Sequence, residues 1–504
     1  MKIFTNPANQ FTGILTAILT AILTTMTFLQ PCGRAEDAGA KLVLSQQDVA
    51  HLVLEKSDRT PETNLTAELA RKQVSDVLKN YEWLLAADAG YDINQTQRLD
   101  TPYPDLKDTS WLANVSLKKP WTTGSTLTFE WSRNSLQAVF NPASPFLGLF
   151  PANQTFDSVG VTFEQSLWKN SLGVADRSMV LAAEKSFASA RTKRGFNLQN
   201  LVLDGLRKYW SAYVTQENLR QAIHSRATYE KLVETVRKKT GYGYAGIGEL
   251  PQAQAELESK VQEVKKQSLN YLQASDELLA YLNLPIKSEI DFKVESELSE
   301  PPKLKDIALE KTREFQTQVR TFEAAEAARQ SATALNNPDL RLVAKAYGTS
   351  VDPNSSTSLG QALGGANPHY YIGVKLTQNF GSNTLGEDQL NKELTAQIEE
   401  IRLSRLKTDL QVRLTTQEEK VQSTFAVVLS ARGQKTYREK ALKELQAAYN
   451  QGRTEIRNLI LAMNDSFTTE TGYSRSVGDY QVALAEWAAL RDELIPERET
   501  AQEK

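Results

Sequence analysis

The sequence predicts an internally duplicated α+β membrane protein. Several copies pool their strands into a shared transmembrane β-barrel, and very long helices leave those strands. Three observations carry this prediction. Short stretches alternate apolar and polar residues at period two, as strands with one face of each kind do. Residues 174–239 and 387–432 contain no proline and read as helices far longer than a compact domain uses. The order strands, then long helix, occurs twice.

The alternation is clearest at Val159-Gly160-Val161-Thr162-Phe163-Glu164-Gln165-Ser166-Leu167. Val159, Val161, Phe163 and Leu167 share one side, and Thr162, Glu164 and Ser166 the other. The spacing returns at Ile372-Gly373-Val374-Lys375-Leu376-Thr377-Gln378-Asn379-Phe380. Both copies keep Gly-Val, then Gln, then an apolar residue, and each closes on Asn-Ser/Thr-Leu-Gly before a long helical pattern. A second pair of anchors keeps one constant offset: Gly243, Ile247, Leu250 and Ala253 against Gly452, Ile456, Leu459 and Ala462.

In chain order, Lys2, the apolar run Ile14–Leu29 and Gly33-Arg34-Ala35 form a secretory leader cleaved after Ala35. The run is shorter than the roughly 20 residues a membrane-spanning helix needs. Cys32, the one cysteine, is either a lipid-carrying N-terminus or lost with the leader. Residues 45–83 read as helix interrupted at Pro61, with Ser45 and Asp48 placed as a capping box. Period-two runs follow at 85–94, 111–118 and 126–131, before a Pro/Asn-rich loop. Leu198, Val202, Leu206, Tyr209 and Tyr213 have coiled-coil spacing. About 65 helical residues extend about 95 Å. A Gly-rich turn at 241–248, a helix opened by Pro251 and a linker centred on Pro301-Pro302 complete the first half.

These readings divide the chain into a leader (1–35), N-terminal helices (36–84), a first strand set (85–168) with a loop at 141–154, a long helical hairpin (169–284) and a linker (285–302). The second half has a helix (303–337), a strand set (338–381) with a loop at 348–368, a second hairpin (382–495) and a tail (496–504).

Composition narrows the function classes. The 504 residues carry a net charge of −3, so nothing resembles the basic footprint of a nucleic-acid binder. Beyond the leader no stretch reaches about 18 apolar residues, so membrane insertion has to use strands. A further run sets Leu340, Leu342, Ala344 and Ala346 on one face, and the six runs together fall short of the smallest membrane barrels, which have about eight strands. An open sheet edge has no hydrogen-bond partners in lipid, so several chains must contribute. Lipid then meets Val159, Val161, Phe163, Leu167, Ile372, Val374, Leu376 and Phe380. Water meets Thr162, Glu164, Lys375 and Thr377. Four of the seven tryptophans (Trp111, Trp121, Trp131, Trp168), with Tyr370 and Tyr371, supply an interfacial girdle.

The doubled strand motif, the Tyr449-Asn450-Gln451-Gly452 … Ile456 … Leu459 … Ala462 turn-and-helix, and Asn337-Pro338-Asp339-Leu340-Arg341-Leu342 resemble those of the TolC-like outer-membrane efflux proteins. That resemblance implies a homotrimer with a shared barrel in outer-membrane lipid and a long antiparallel coiled-coil α-helical barrel across the periplasm. It implies that the loops at 141–154 and 348–368 are extracellular. It also implies a passive exit duct of a tripartite efflux or type I secretion system, working with a periplasmic adaptor (membrane fusion protein) and an inner-membrane transporter. Two departures stand out. The pair at 110–119 and 125–134 is additional to the family's usual strands, and either enlarges the barrel or forms an extracellular hairpin. At the aperture positions after Gly452 the family's aspartates are replaced by Asn458 and Leu461, beside Arg453, Glu455 and Arg457; Gly243 marks the other turn.

Other motifs carry less. Gly241-Tyr242-Gly243-Tyr244-Ala245-Gly246 spells a dinucleotide fingerprint, but a charged helix precedes it where a strand is required. His51, His224 and His369 show no ligand spacing. Glu256 and Lys260 read as helix-surface support. The expectation is no enzyme, no catalytic residue, no cofactor and no metal. The competing reading is a periplasmic coiled-coil adaptor or tether without a pore.

Overall fold

The computed structural model describes residues 42–94, 107–139, 153–294, 300–301, 308–378 and 384–495. Strand β1 (Leu42–Ser45) leads into helices α1 (Gln46–Lys56) and α2 (Arg59–Lys79). Four strands follow: β2 (Leu84–Asn94), β3 (Lys107–Pro120), β4 (Ser125–Val139) and β5 (Asn153–Ser166). Helix α3 (Val174–Gly241) turns back into α4 (Glu249–Tyr281), and β6 (Ile290–Lys293) ends the first half. Then come α5 (Arg313–Leu335), β7 (Asp339–Asp352), α6 (Ser355–Leu363), β8 (Pro368–Thr377), α7 (Thr384–Asn450) and α8 (Ile456–Leu490).

One sheet holds six strands in the order β2-β3-β4-β5-β7-β8, and every neighbouring pair is antiparallel. The expected additional pair is thus inside the sheet, as β3 and β4, between β2 and β5. The outermost strands, β2 and β8, each pair on one side only among the described residues.

The helices form a column. Helix α3 has 68 residues, about 100 Å at about 1.5 Å per residue. It packs on α4, α5, α8, α1 and α2, and α7 packs on α8 and α5. The main core lies midway along α3, where Leu198, Val202, Leu206 and Tyr209 are buried against α1 (Val49, Val53), α4 (Leu278, Leu279) and the β1–β6 pair (Leu44, Ile290). Of the five seam residues named from spacing, these four therefore face several elements at once, and Tyr213 packs at the core's edge. Burial, the main cause, pushes the Tyr209 hydroxyl's pKa well above its ordinary value. That hydroxyl is 3.3 Å from the carbonyls of both Leu44 and Lys293.

Four expectations change. The linker 285–302 contains β6, which pairs in parallel with β1. The helix expected over 303–337 begins at Arg313, behind a 3-10 turn at Leu309–Lys311. The N-terminal helices break at Ser57-Asp58, and Pro61 sits in the first turn of α2, where a missing N–H costs nothing. The 348–368 loop contains the end of β7 and all of α6. The Ser45–Asp48 capping box is present. The leader with Cys32, the tail 496–504, most of the 141–154 loop and Phe380 lie outside the described residues.

Two sheet faces and the helical tip

Strand register sorts the side chains, because alternate residues point to opposite faces. Val159 pairs with Trp131 and Gly348, Val161 with Phe129 and Ala346, and Phe163 with Leu127 and Ala344. Continued across the sheet, this face carries Leu85, Ala87 and Ala89 on β2, Ala113, Val115 and Leu117 on β3, and Ile372, Val374 and Leu376 on β8. The apolar face is open: Ile372, Val374 and Leu376 are 77%, 60% and 64% exposed. Tyr91 and Trp111 meet on it with ring centroids 4.6 Å apart and ring planes tilted by 47°. Leu167 lies one residue past β5, where its N–H donates to the Leu340 carbonyl.

The opposite face is polar and bonded across strands. Thr162, Glu164, Lys375 and Thr377 all point there. The Tyr347 hydroxyl lies 2.7 Å from Thr162 Oγ1 and donates to Glu130 Oε2 at 3.1 Å. Its ring covers Gly160, where a Cβ would come within 2.0 Å of it. Arg341 ties Asp339 at 2.8 Å to Glu164 at 3.3 Å, and Asn114 donates to Asp88 at 2.8 Å. Tyr371 also belongs to this face, lying over Gly373. Of Tyr370 and Tyr371, both expected in an interfacial girdle, only Tyr370 lies on the apolar face, because adjacent strand residues cannot share a face.

One charged pair breaks the pattern. Arg133 and Asp157 face each other on the apolar side, with Arg133 Nε 2.9 Å from Asp157 Oδ1. Asp157 is fully buried. Helix α6 lies over it: the Ser355 carbonyl accepts from Arg133 at 2.8 Å, and Ser358 Oγ donates to the Thr155 carbonyl at 3.1 Å. Trp131 Nε1 also donates to Asp157. A charge on an apolar face is costly unless paired and covered, and α6 supplies the cover. Sequence reading missed α6 because its composition is that of a loop.

At the far end of the column, the α3–α4 and α7–α8 turns lie together. Gly243 and Gly452 both have positive φ, +74° and +71°. Tyr229, Leu232 and Val236 of α3 pack with Ala253 of α4, Tyr449 of α7 and Ile456 and Leu459 of α8. Lys239 Nζ donates to the Tyr449 carbonyl at 2.6 Å, and the Tyr449 hydroxyl donates to Glu249 at 3.3 Å. Burial, with Glu249 beside it, pushes the Tyr449 pKa up to about 12. Arg453, Glu455, Arg457, Asn458 and Leu461 are exposed, and among the described residues no ion pair joins the first three. Lys239, Tyr449 and Glu249 hold the turns instead. Ile247 is fully exposed while its offset counterpart Ile456 is buried, so the two turns differ in environment. Lys260 reaches Asn464 on α8 at 2.6 Å, a bond between helices in place of the surface pair expected with Glu256.

Among the described residues no group of three His, Cys, Asp or Glu is placed to hold a metal ion, and no helix is long and apolar enough to cross a membrane. No protein-family model matches the chain, and no curated protein matches it in sequence. Solved structures do. CusC, which forms a transmembrane channel, superposes with a TM-score of 0.66 at 14% identity, over 88% of this chain and 91% of that one. The Campylobacter jejuni CmeC outer membrane channel gives 0.65 at 11% identity, over 90% and 89%. The open-state Neisseria gonorrhoeae MtrE outer membrane channel gives 0.63 at 16%, over 89% of each. With six strands in one sheet and paired helical hairpins beneath it, the chain has the fold of the TolC-like outer-membrane efflux channels.

Proposed function

We propose that this protein is the outer-membrane exit duct of a tripartite efflux or type I secretion system, a passive homotrimeric pore. The carrying observation is the six-stranded sheet, apolar on one face and polar on the other, with both outer strands paired on one side only among the described residues. In lipid such edges need partners, so β8 of one copy joins β2 of the next. The pairing is antiparallel, since β2 runs away from the helices and β8 runs toward them. Val159, Val161, Phe163, Leu167, Ile372, Val374 and Leu376 then meet lipid, while Thr162, Glu164, Lys375 and Thr377 line the lumen.

The helices descend through the periplasm, and the exposed tip around Tyr242, Tyr244 and Ile247 receives the periplasmic adaptor, which links the duct to an inner-membrane transporter. The 76%, 83% and 109% exposure of those three residues supports this placement. No reaction is assigned to the chain. The experiment is a planar-bilayer recording on detergent-purified protein, combined with its mass in detergent. Stepwise conductance from a trimer is expected. A monomer dispersed in water without detergent, silent in bilayers, would overturn the duct and favour a tether.

A further inference from the structure

We infer that the β3–β4 hairpin is an inserted pair of wall strands that widens the barrel relative to the helical column. This rests on the shared-barrel reading above. In the second half of the chain two strands, β7 and β8, stand between α5 and α7. In the first half four strands, β2 to β5, stand between α2 and α3. The additional pair does not hang outside the sheet. β3 is paired with β2 from Leu84–Lys118 to Asn94–Asp108, and β4 with β5 from Ser125–Gln165 to Gln137–Asn153. It obeys the sheet's alternation: Ala113, Val115, Leu117, Leu127 and Phe129 on the apolar face, Asn114, Ser116, Lys118, Thr126 and Thr128 on the polar one.

The closed end of the hairpin is fitted to the start of the column. Turn residues Trp121–Gly124 rest on the Asn170–Gly173 corner that opens α3. Ser166 N–H donates to the Gly124 carbonyl at 3.0 Å, and Gln165 Nε2 to the Thr123 carbonyl at 3.1 Å. Gly173 has φ +78°, and a Cβ there would lie 1.9 Å from the Thr122 carbonyl oxygen. No helix continues from this turn, so each copy adds two strands to the wall and none to the column. Strands lie about 4.8 Å apart, so each hairpin adds about 10 Å of perimeter. Barrel diameter grows roughly linearly with strand number, so six strands per chain in place of four give about a 1.5-fold wider mouth. The cargo class this admits at the outer membrane is bulky and hydrophilic, matching the polar lining.

The test measures polymer exclusion in planar bilayers with polyethylene glycols of graded size added on the barrel side. The full-length protein is compared with a variant in which residues 95–152 are replaced by a short Gly/Ser linker joining β2 to β5. The exclusion diameter is expected to fall about 1.5-fold. A conducting variant with unchanged exclusion overturns the inference. Because the deletion risks misfolding, single cysteines in the intact chain, in a Cys32→Ser background, give a second readout in lipid vesicles. Ser116→Cys is expected to react with a membrane-impermeant maleimide, and Val115→Cys to be protected until detergent is added. Equal reactivity of the two places the hairpin outside the wall and overturns the inference. A parent protein that conducts nothing sinks the duct reading itself, an outcome distinct from a conducting parent with an indifferent hairpin.

Discussion

Lys239 on α3 sets its ammonium 3.8 Å from the centre of the Tyr449 ring on α7. One side chain therefore holds both helical turns, through the ring face and through the backbone carbonyl. A cation over an aromatic face contributes about 0.5–1 kcal/mol at a partly exposed site, and a hydrogen bond from a charged group about 1.5–3. Lys239→Ala is expected to loosen the tip by about 2–4 kcal/mol while leaving the midway core intact. Limited trypsinolysis reads this as faster cleavage at Arg453 and Arg457 with an unchanged global melting temperature. Equal cleavage rates would show that the turns hold without this contact.

The two sheet faces should respond oppositely to charge. Phe163→Arg places a cation on the apolar face, and such substitutions at mid-bilayer cost about 2–4 kcal/mol. Lys375→Glu changes charge on the polar face and leaves the face proposed to meet lipid unaltered. Trimer yield, scored by heat-modifiable migration, should fall for the first and hold for the second.

Among the described glycines, Gly173 has the closest contact for an added methyl group. Its positive φ strains any L side chain by about 1–3 kcal/mol, and the Thr122 carbonyl occupies the space besides. Gly173→Ala should therefore displace the β3–β4 turn and lower the melting temperature of the purified protein. Gly433, inside α7 with nothing near its Cβ position, is the control; alanine there should be neutral or slightly stabilising.

Glu486 on α8 gives a pH prediction. Burial alone would raise its carboxyl, but hydrogen bonds from Lys420 and Arg207 outweigh burial and hold the pKa below its ordinary value. The distances are 2.7 Å to Lys420 on α7 and 2.8 Å to Arg207 on α3. A folded-state pKa below the unfolded one adds stability that is present above the unfolded value, about 4.3, and is lost as pH falls through the folded value. Both cations are nearly half exposed, so screening limits the contribution to about 1 kcal/mol. Glu486→Gln should thus narrow the loss of stability between about pH 5 and pH 3 in denaturant titrations. An unchanged acid limb would mean the three-helix clamp contributes nothing.

The sheet was legible because period-two alternation in β2 to β5, β7 and β8 reports a surface with two unlike sides, and any strand with such a surface writes it into the sequence. The long helices were legible for a plainer reason: nothing in α3 or α7 interrupts them. The β1–β6 pair was not, because its four-residue strands are too short to show a period and their partnership joins distant segments. Helix α6 was hidden by Ser, Gly and Asn, and only the Asn354 cap, accepting from Ser356 N–H, hints at a start. At the tip, the sequence located the turns through Gly243 and Gly452, whereas Lys239 and Glu249 took their places only once the two hairpins were laid side by side. Periodicity cannot foresee a contact of that kind.

The β1–β6 pair also sets an order of assembly. Leu42 to Ser45 find their partners in Ile290 to Lys293, so the first of the described residues wait for more than half the chain before they can dock. Closing so long a loop is entropically slow, and the Tyr209 hydroxyl has both its carbonyl partners only when that closure is complete. A chain cut short of residue 290 therefore lacks both the partner strand of Leu42–Ser45 and one of the two carbonyls that face the Tyr209 hydroxyl.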